Sequence, residues 1–404
     1  MGFFDRFGRN KDKQLPSSSK SGLDLDSIRK LYPQYRNLSD EQLVQLTQSI
    51  RQAKQIEIAK SGAPDRVEMA KQSAEECQLK GELLFEVGRW REAEQWSSLA
   101  LEKGEEAGNM MVQCAALGIL GRLCRDRGEF PQAMSLYQQA LGLAERLGDQ
   151  RLQGILHDQI GGVYFRQGQY AQAKEHIKKC LEYAESSKDE GTQAVAYGNL
   201  GSLYMKQGDF NLAIEAQEHS VAGYLKTGNE QGAAKSYGNL GAIYYEQGHY
   251  NRAAELYRKS LAINERLKLE KDIAINYVNL GNVYSVQGAA VEAIQMYEKT
   301  LAITQRIGNE LLTAQTYGFI ASCHKEMSNT ARALEFYQKA LAIQQRIGDR
   351  HNSAGNYFML GNLYRDNIGD SVQARANYKK AQALFEMVGD THWAQNVVRA
   401  LSKL

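Results

Sequence analysis

The sequence predicts an all-α protein: a right-handed α-solenoid of about eight helix hairpins with a C-terminal capping helix. Three observations carry this. A forty-residue period runs through most of the 404 residues. Each period holds two stretches whose apolar residues recur at helical spacing. Proline is confined to Pro16, Pro33, Pro64 and Pro131, where a loop-rich all-β chain of this length would carry many more.

Charge and cysteine narrow the function classes. Lys and Arg total 49 against 47 Asp and Glu, a formal net charge of +2. Residues 1–69 hold twelve basic and nine acidic side chains, so the remainder is close to neutral. A dedicated nucleic-acid binder carries a strong basic excess, and none is expected here. Cys77, Cys114, Cys124, Cys180 and Cys323 form no CxxC pair and suit a reducing, cytoplasmic setting. No run of 18 apolar residues suggests a membrane span. The opening MGFFDRFGRN lacks the apolar core of a secretory signal.

Taken in order, residues 1–27 read as an aromatic-basic tail and a polar linker. Phe3, Phe4 and Phe7 stand among Arg6, Arg9, Lys11 and Lys13. Such a segment could seat on an anionic membrane surface; the alternatives are a disordered tail or an N-terminal staple. Residues 28–69 read as a helical segment, with Ser39 and Gln42 forming a capping box before Leu43, Val44, Leu46 and Ile50.

Residues 70–390 read as eight repeats. One glycine series runs Gly81, Gly121, Gly161, Gly201, Gly241 and Gly281, then Ala321, then Gly361. A second runs Gly88 to Gly288 in steps of forty, then Ser328, then Gly369 after a one-residue insertion. Alanine recurs from Ala93 to Ala333 and, shifted by one, at Ala374. Tyr197, Leu200, Gly201 and Tyr204 mark one face of a first helix, and Phe210, Ala213, Ile214 and Val221 a second. Pairs such as Gly148-Asp149 and Gly308-Asn309 supply a left-handed stop followed by an N-cap. The small residues at Gly201 and Ala213 predict close approach of the two helices, where a bulky replacement would overpack the joint. At 321–330 both joint glycines and the aromatic are replaced (Ala321, Ser328, Thr330), and Ala290 replaces the preceding aromatic. Nearest-neighbour coupling makes this the expected weak interface. In residues 391–404, Trp393, Val397, Val398 and Leu401 form one stripe, read as a helix capping the last repeat.

The pattern Y-x2-LG-x2-Y, then glycine, an aromatic and alanine, resembles the tetratricopeptide repeat. Its forty-residue form, with Gly-Asp between repeats, is similar to Pins-type polarity scaffolds and to many bacterial repeat proteins. The resemblance implies a non-enzymatic adaptor that binds an extended peptide or partner protein in a groove lined by first helices. It also admits a peptide-sensing regulator similar to the Rap-type proteins, acting on a response regulator or transcription factor.

No catalytic or metal-ligand spacing appears, and no cofactor is expected. His157 and His324 occupy aromatic positions of the repeat and read as core, as Cys124 and Cys180 read as small buried hydrophobes. The GNLG blocks lie within helices and lack the preceding strand of a phosphate loop. Recognition is what is left. By the resemblance, residues flanking the Leu-Gly pair face the groove: Asn199, Asn239, Asn279, Asn282 and Asn362. Arg166, Lys206 and Lys235 flank them, with Met205 and Tyr245 between; Arg122, Arg125, Lys325 and Arg365 recur nearby. Asparagine can pair with a peptide main chain, and the cations would favour an acidic partner. The competing reading is that these asparagines tie neighbouring helices together. Glycine at 118, 198, 238 and 318, where the chaperone-binding type needs a lysine, argues against chaperone-tail binding.

Overall fold

The computed structural model describes residues 72–86 and 88–404. The expectations for Phe3, Phe4, Phe7 and the segment 28–69 fall outside these residues. The chain divides into two compact units, one ending at Gly228 and one beginning at Asn229. Among the described residues every regular element is helical.

The first unit holds α1 (Ala74–Glu86), α2 (Trp90–Glu106), α3 (Met110–Arg127), α4 (Phe130–Leu147), α5 (Gln150–Arg166), α6 (Tyr170–Ser186), α7 (Glu190–Gln207) and α8 (Phe210–Lys226). The second holds α9 (Glu230–Glu246), α10 (Tyr250–Arg266), α11 (Glu270–Val286), α12 (Ala290–Arg306), α13 (Glu310–Glu326), α14 (Thr330–Ile347), α15 (Arg350–Leu363), α16 (Ser371–Met387) and α17 (Thr391–Leu401). Within each unit, consecutive helices pair as hairpins and each hairpin packs on the next, an all-α solenoid arrangement.

Local chemistry sets the helix ends. Asp149 accepts the Leu152 N–H at 3.0 Å, Asn229 that of Gly232 at 2.9 Å, and Asn309 that of Leu312 at 3.1 Å. Each such cap satisfies a donor that the first turn leaves open, a contribution of about 1 kcal/mol. The residue before each cap is left-handed, with φ of 65° at Gly148, 68° at Gly228 and 69° at Gly308. Pro131 lies in the first turn of α4, where its missing N–H costs nothing.

The joint glycines are packed as the sequence predicts, against a partner it did not single out. A methyl built on Gly121, Gly281 or Gly361 would lie 2.5 Å from the ring of Tyr137, Tyr297 or Tyr378. At Gly241 the ring is that of Tyr257, at 2.8 Å. These tyrosines sit on the second helix of the same hairpin and are fully buried or nearly so. At Gly201 the second helix offers Gln217 instead, 2.7 Å away. The alanine series from Ala93 to Ala374 is fully buried beside them.

All four helices of the two hairpins spanning 270–347 are formed, so the substitutions at 321–330 leave no gap in the helix pairing. Ser328 holds φ of 58° where other repeats place glycine. The inserted residue of the last repeat is absorbed by a single π-type turn over Tyr364–Ile368. Helix α17 buries Val397 against a cluster containing Tyr378 and Phe385, while Trp393 stays partly exposed on the Phe385 ring.

Candidate functional site

The sequence-derived candidates lie on the first helices of the hairpins. In the first unit these are α3, α5 and α7. Asn199 on α7 donates its amide to Asp158 on α5 at 2.6 Å. Asp158 is buried, so this bond compensates a carboxylate withdrawn from water and ties two repeats together. Arg166 on α5 pairs with Asp126 on α3 at 3.3 Å, and Arg125 reaches both Asp126 (3.1 Å) and Gln159 (2.9 Å). Arg122 covers the Phe85 ring at 4.0 Å. These cations are thus occupied within the unit. Lys206 is exposed and has no ion-pair partner among the described residues, with half-buried Met205 beside it.

In the second unit the face belongs to α9, α11, α13 and α15. Asn282 accepts the Tyr297 hydroxyl at 2.7 Å, and Asn362 accepts that of Tyr378 at 2.6 Å. Both asparagines serve the joint tyrosines: the ring fills the space left by glycine and the hydroxyl emerges beside the next side chain. The Ser322 hydroxyl is the hydrogen-bond partner of the Tyr337 hydroxyl at 2.9 Å. Asn282, Asn362 and Asn199 are therefore engaged in the scaffold.

Asn239 on α9 and Asn279 on α11 differ. Both are half-buried, and no hydrogen bond reaches their side chains among the described residues. Lys235, one turn before Asn239, is exposed and has no ion-pair partner there. Tyr245 packs edge-on to Tyr250 at 5.5 Å, and burial raises its pKa. Arg365 is held bidentately by Asp366, at 2.6 and 3.0 Å, and that guanidinium keeps the Asp366 carboxyl below its usual range. The face thus pairs two unclaimed amides, forty residues apart, with a free cation and an aromatic side chain.

The remaining titratable groups are built into the packing. All five cysteines are buried and reduced; burial pushes Cys114 up to about 12 and Cys124 to about 11, which keeps them as thiols. Burial first, then His176, pulls His157 down to about 4, and the two Nδ1 atoms meet at 3.0 Å. Among the described residues no group of three or more His, Cys, Asp or Glu could hold a metal. No described helix is long and apolar enough to cross a membrane.

A family model described as the tetratricopeptide repeat matches residues 111–186, 151–226, 192–266, 272–346 and 312–387. Solved structures share the fold at low identity. A signal-transduction ATPase with a tetratricopeptide repeat sensor, from Pyrococcus horikoshii, is 16% identical over 90% of this chain, with a TM-score of 0.62. This chain spans 56% of that protein. A Rap protein complexed with competence and sporulation factor is 16% identical over 82% of this chain and 97% of its own, with a TM-score of 0.53. The apo form of RapI is 15% identical over 62% of this chain and 96% of its own, with a TM-score of 0.51. No curated protein matches the sequence significantly.

Proposed function

Because the chain belongs to the tetratricopeptide repeat family, we propose that it is a non-enzymatic adaptor whose first-helix face holds an extended, acidic segment of a partner protein. One observation carries this reading: Asn239 and Asn279 recur on successive first helices with their amides unclaimed. A half-buried amide that no neighbouring side chain engages offers both a donor and an acceptor to a bound main chain. Lys235 adds a preference for acidic side chains, and Tyr245 an apolar contact at low entropic cost.

Three of the other candidates keep a different role. Asn199 ties α5 to α7 in the first unit, and Asn282 and Asn362 hold joint tyrosines of the second. Losing them lowers stability before it touches affinity.

The test is a pair of measurements on single variants. Affinity for a partner captured by the full chain is measured by calorimetry, alongside the melting temperature. Asn279→Ala should weaken binding by about 1–3 kcal/mol and leave melting within a degree or two. Asn282→Ala should do the reverse. A lowered melting temperature with unchanged affinity for Asn279→Ala would overturn the assignment. Marked compaction of the array by a short peptide, seen by small-angle scattering, would favour the peptide-sensing regulator instead.

A further inference from the structure

We propose that the cleft between α14 and α16 docks a short amphipathic helix of a partner protein carrying an acidic residue, at a surface separate from the asparagine-bearing face. The cleft has two compartments of about 330 and 320 Å³, and Gln345, Tyr357 and Lys380 border both. Its floor is α15, with Tyr357 and Leu360, continued by Tyr364 of the π-type turn, and α14 contributes Leu334 and Leu341 to one wall.

Helix α16 supplies the other wall. Val372, Ala376, Lys380, Ala383 and Met387 are spaced i, i+4, i+8, i+11 and i+15, one stripe of a helix. Ala376, Lys380 and Ala383 line the cleft. Val372 and Met387 continue the stripe at its two ends. At 78% and 62% exposure they are the most exposed large apolar side chains among the described residues.

The same register is charged in α10 and α14, while α12 carries Val291, Gln295 and Lys299 there. It reads Asn251, Glu255, Lys259, Ala262, Arg266 in α10 and Ala331, Glu335, Lys339, Ala342, Arg346 in α14. There each lysine is neutralised by its glutamate, at 3.1 Å for Lys259–Glu255 and 2.7 Å for Lys339–Glu335. Each arginine meets the glutamate that opens its hairpin, at 2.9 Å for Arg266–Glu230 and 2.8 Å for Arg346–Glu310. In the last hairpin Ala376 replaces the first glutamate, Met387 replaces the arginine, and Arg350 stands where the opening glutamate would be.

Two consequences follow. Lys380 lies 5.2 Å over the Tyr357 ring and, among the described residues, has no carboxylate within ion-pair distance; Arg350 has none either. An acid from outside is what this wall lacks. The stripe also gains exposed apolar ends that water does not favour. From Gln373 to Leu384 the wall runs roughly 17 Å, about three helical turns. That length suits a helix anchored by apolar residues at i, i+3 or i+4, and i+7.

The test pans a phage-displayed library of about 16-residue peptides on the full chain, with counter-selection on Ala376→Glu. That variant restores the residue found at this register in α10 and α14, and thermal melting checks its fold. Enriched peptides should carry the helical apolar pattern with one Asp or Glu. Their binding, by fluorescence anisotropy, should weaken at least about tenfold in Ala376→Glu and in Met387→Glu. Lys380→Glu should shift the preference to a basic residue. Asn279→Ala should change nothing, which separates this surface from the first-helix face. No enrichment, or equal binding to Ala376→Glu and Met387→Glu, would overturn the proposal. So would a dimer of the chain that Ala376→Glu converts to monomer, since a second copy would then cover the cleft.

Discussion

The hairpins α11–α12 and α13–α14 carry the same joint with different residues. In the first, Gly281 faces the Tyr297 ring and Asn282 accepts its hydroxyl. In the second, Ala321 stands in the glycine's place and Ser322 in the asparagine's, yet Tyr337 is fully buried and its hydroxyl still bonded. What persists between them is the buried tyrosine with a polar partner for its oxygen. The glycine is one way to make room for that ring, and a hairpin that accommodates one methyl makes room in another.

The largest effect should come from enlarging the tighter joint. Gly281→Val would drive branched carbons into a ring already 2.5 Å from an added methyl, and overpacking of this kind costs about 1–3 kcal/mol or more. Ala321→Val, in the hairpin that already holds a methyl, should cost less. Urea denaturation of both variants checks the order. Equal losses would show that the two joints have the same slack. Next in size is the hydroxyl. Tyr297→Phe leaves the Asn282 oxygen without its donor and should cost about 1 kcal/mol, and the double variant with Asn282→Ala should cost less than the sum of the two single ones.

The forty-residue register, the hairpins and most of the left-handed stops were legible, because glycine marks a fixed place in each, although Lys188, Lys268 and Ser328 take the same left-handed turn without it. The joint tyrosine was not. Tyr137, Tyr257, Tyr297 and Tyr337 keep step, but Ser97, Ile177 and Gln217 interrupt the series and the insertion moves its last member to Tyr378. The asparagines were half legible. Asn199 and Asn279 sit in identical Asn-Leu-Gly triplets, and nothing in the triplet distinguishes them. The distinction lies forty-one residues earlier, where Asp158 offers Asn199 an acceptor and Gly238 offers Asn279 none. For Asn282 the signal is Tyr297, fifteen residues later. A hydrogen bond between repeats is invisible until the fold fixes which offsets meet.

Ser328 tests whether the second hairpin carries strain that the first avoids. Its φ of 58° is glycine territory, occupied by Gly288 in the preceding repeat at 78°. A non-glycine residue held there costs on the order of 1 kcal/mol. Ser328→Gly should recover part of that, less the entropy glycine loses on folding. Amide exchange, expected to be faster over 288–332 than over 200–260, should slow around this turn. Unchanged exchange and melting would show that the turn is relaxed as it stands.

The smallest expected effect concerns pH. His324 on α13 occupies the position that Tyr284 holds on α11. The Tyr284 hydroxyl reaches Arg258 at 2.9 Å, whereas the His324 ring stacks on Phe336 with its Nδ1 buried and unbonded among the described residues. Burial, the dominant cause, and then Arg332 hold its pKa below the ordinary histidine value of 6.5. The folded state therefore binds the proton less readily than the unfolded chain. Its contribution is complete above 6.5 and is lost as pH falls through the lowered folded value. His324→Tyr should remove that part of the acid sensitivity and leave neutral-pH stability nearly unchanged, since the aromatic position is refilled. His157, pulled down to about 4, adds a slope of the same sign from the first unit, so the comparison is made between the variant and the parent chain. Superimposable curves of stability against pH for the two would show that this imidazole titrates as it would in water, and that the second hairpin is no more acid-sensitive than the first.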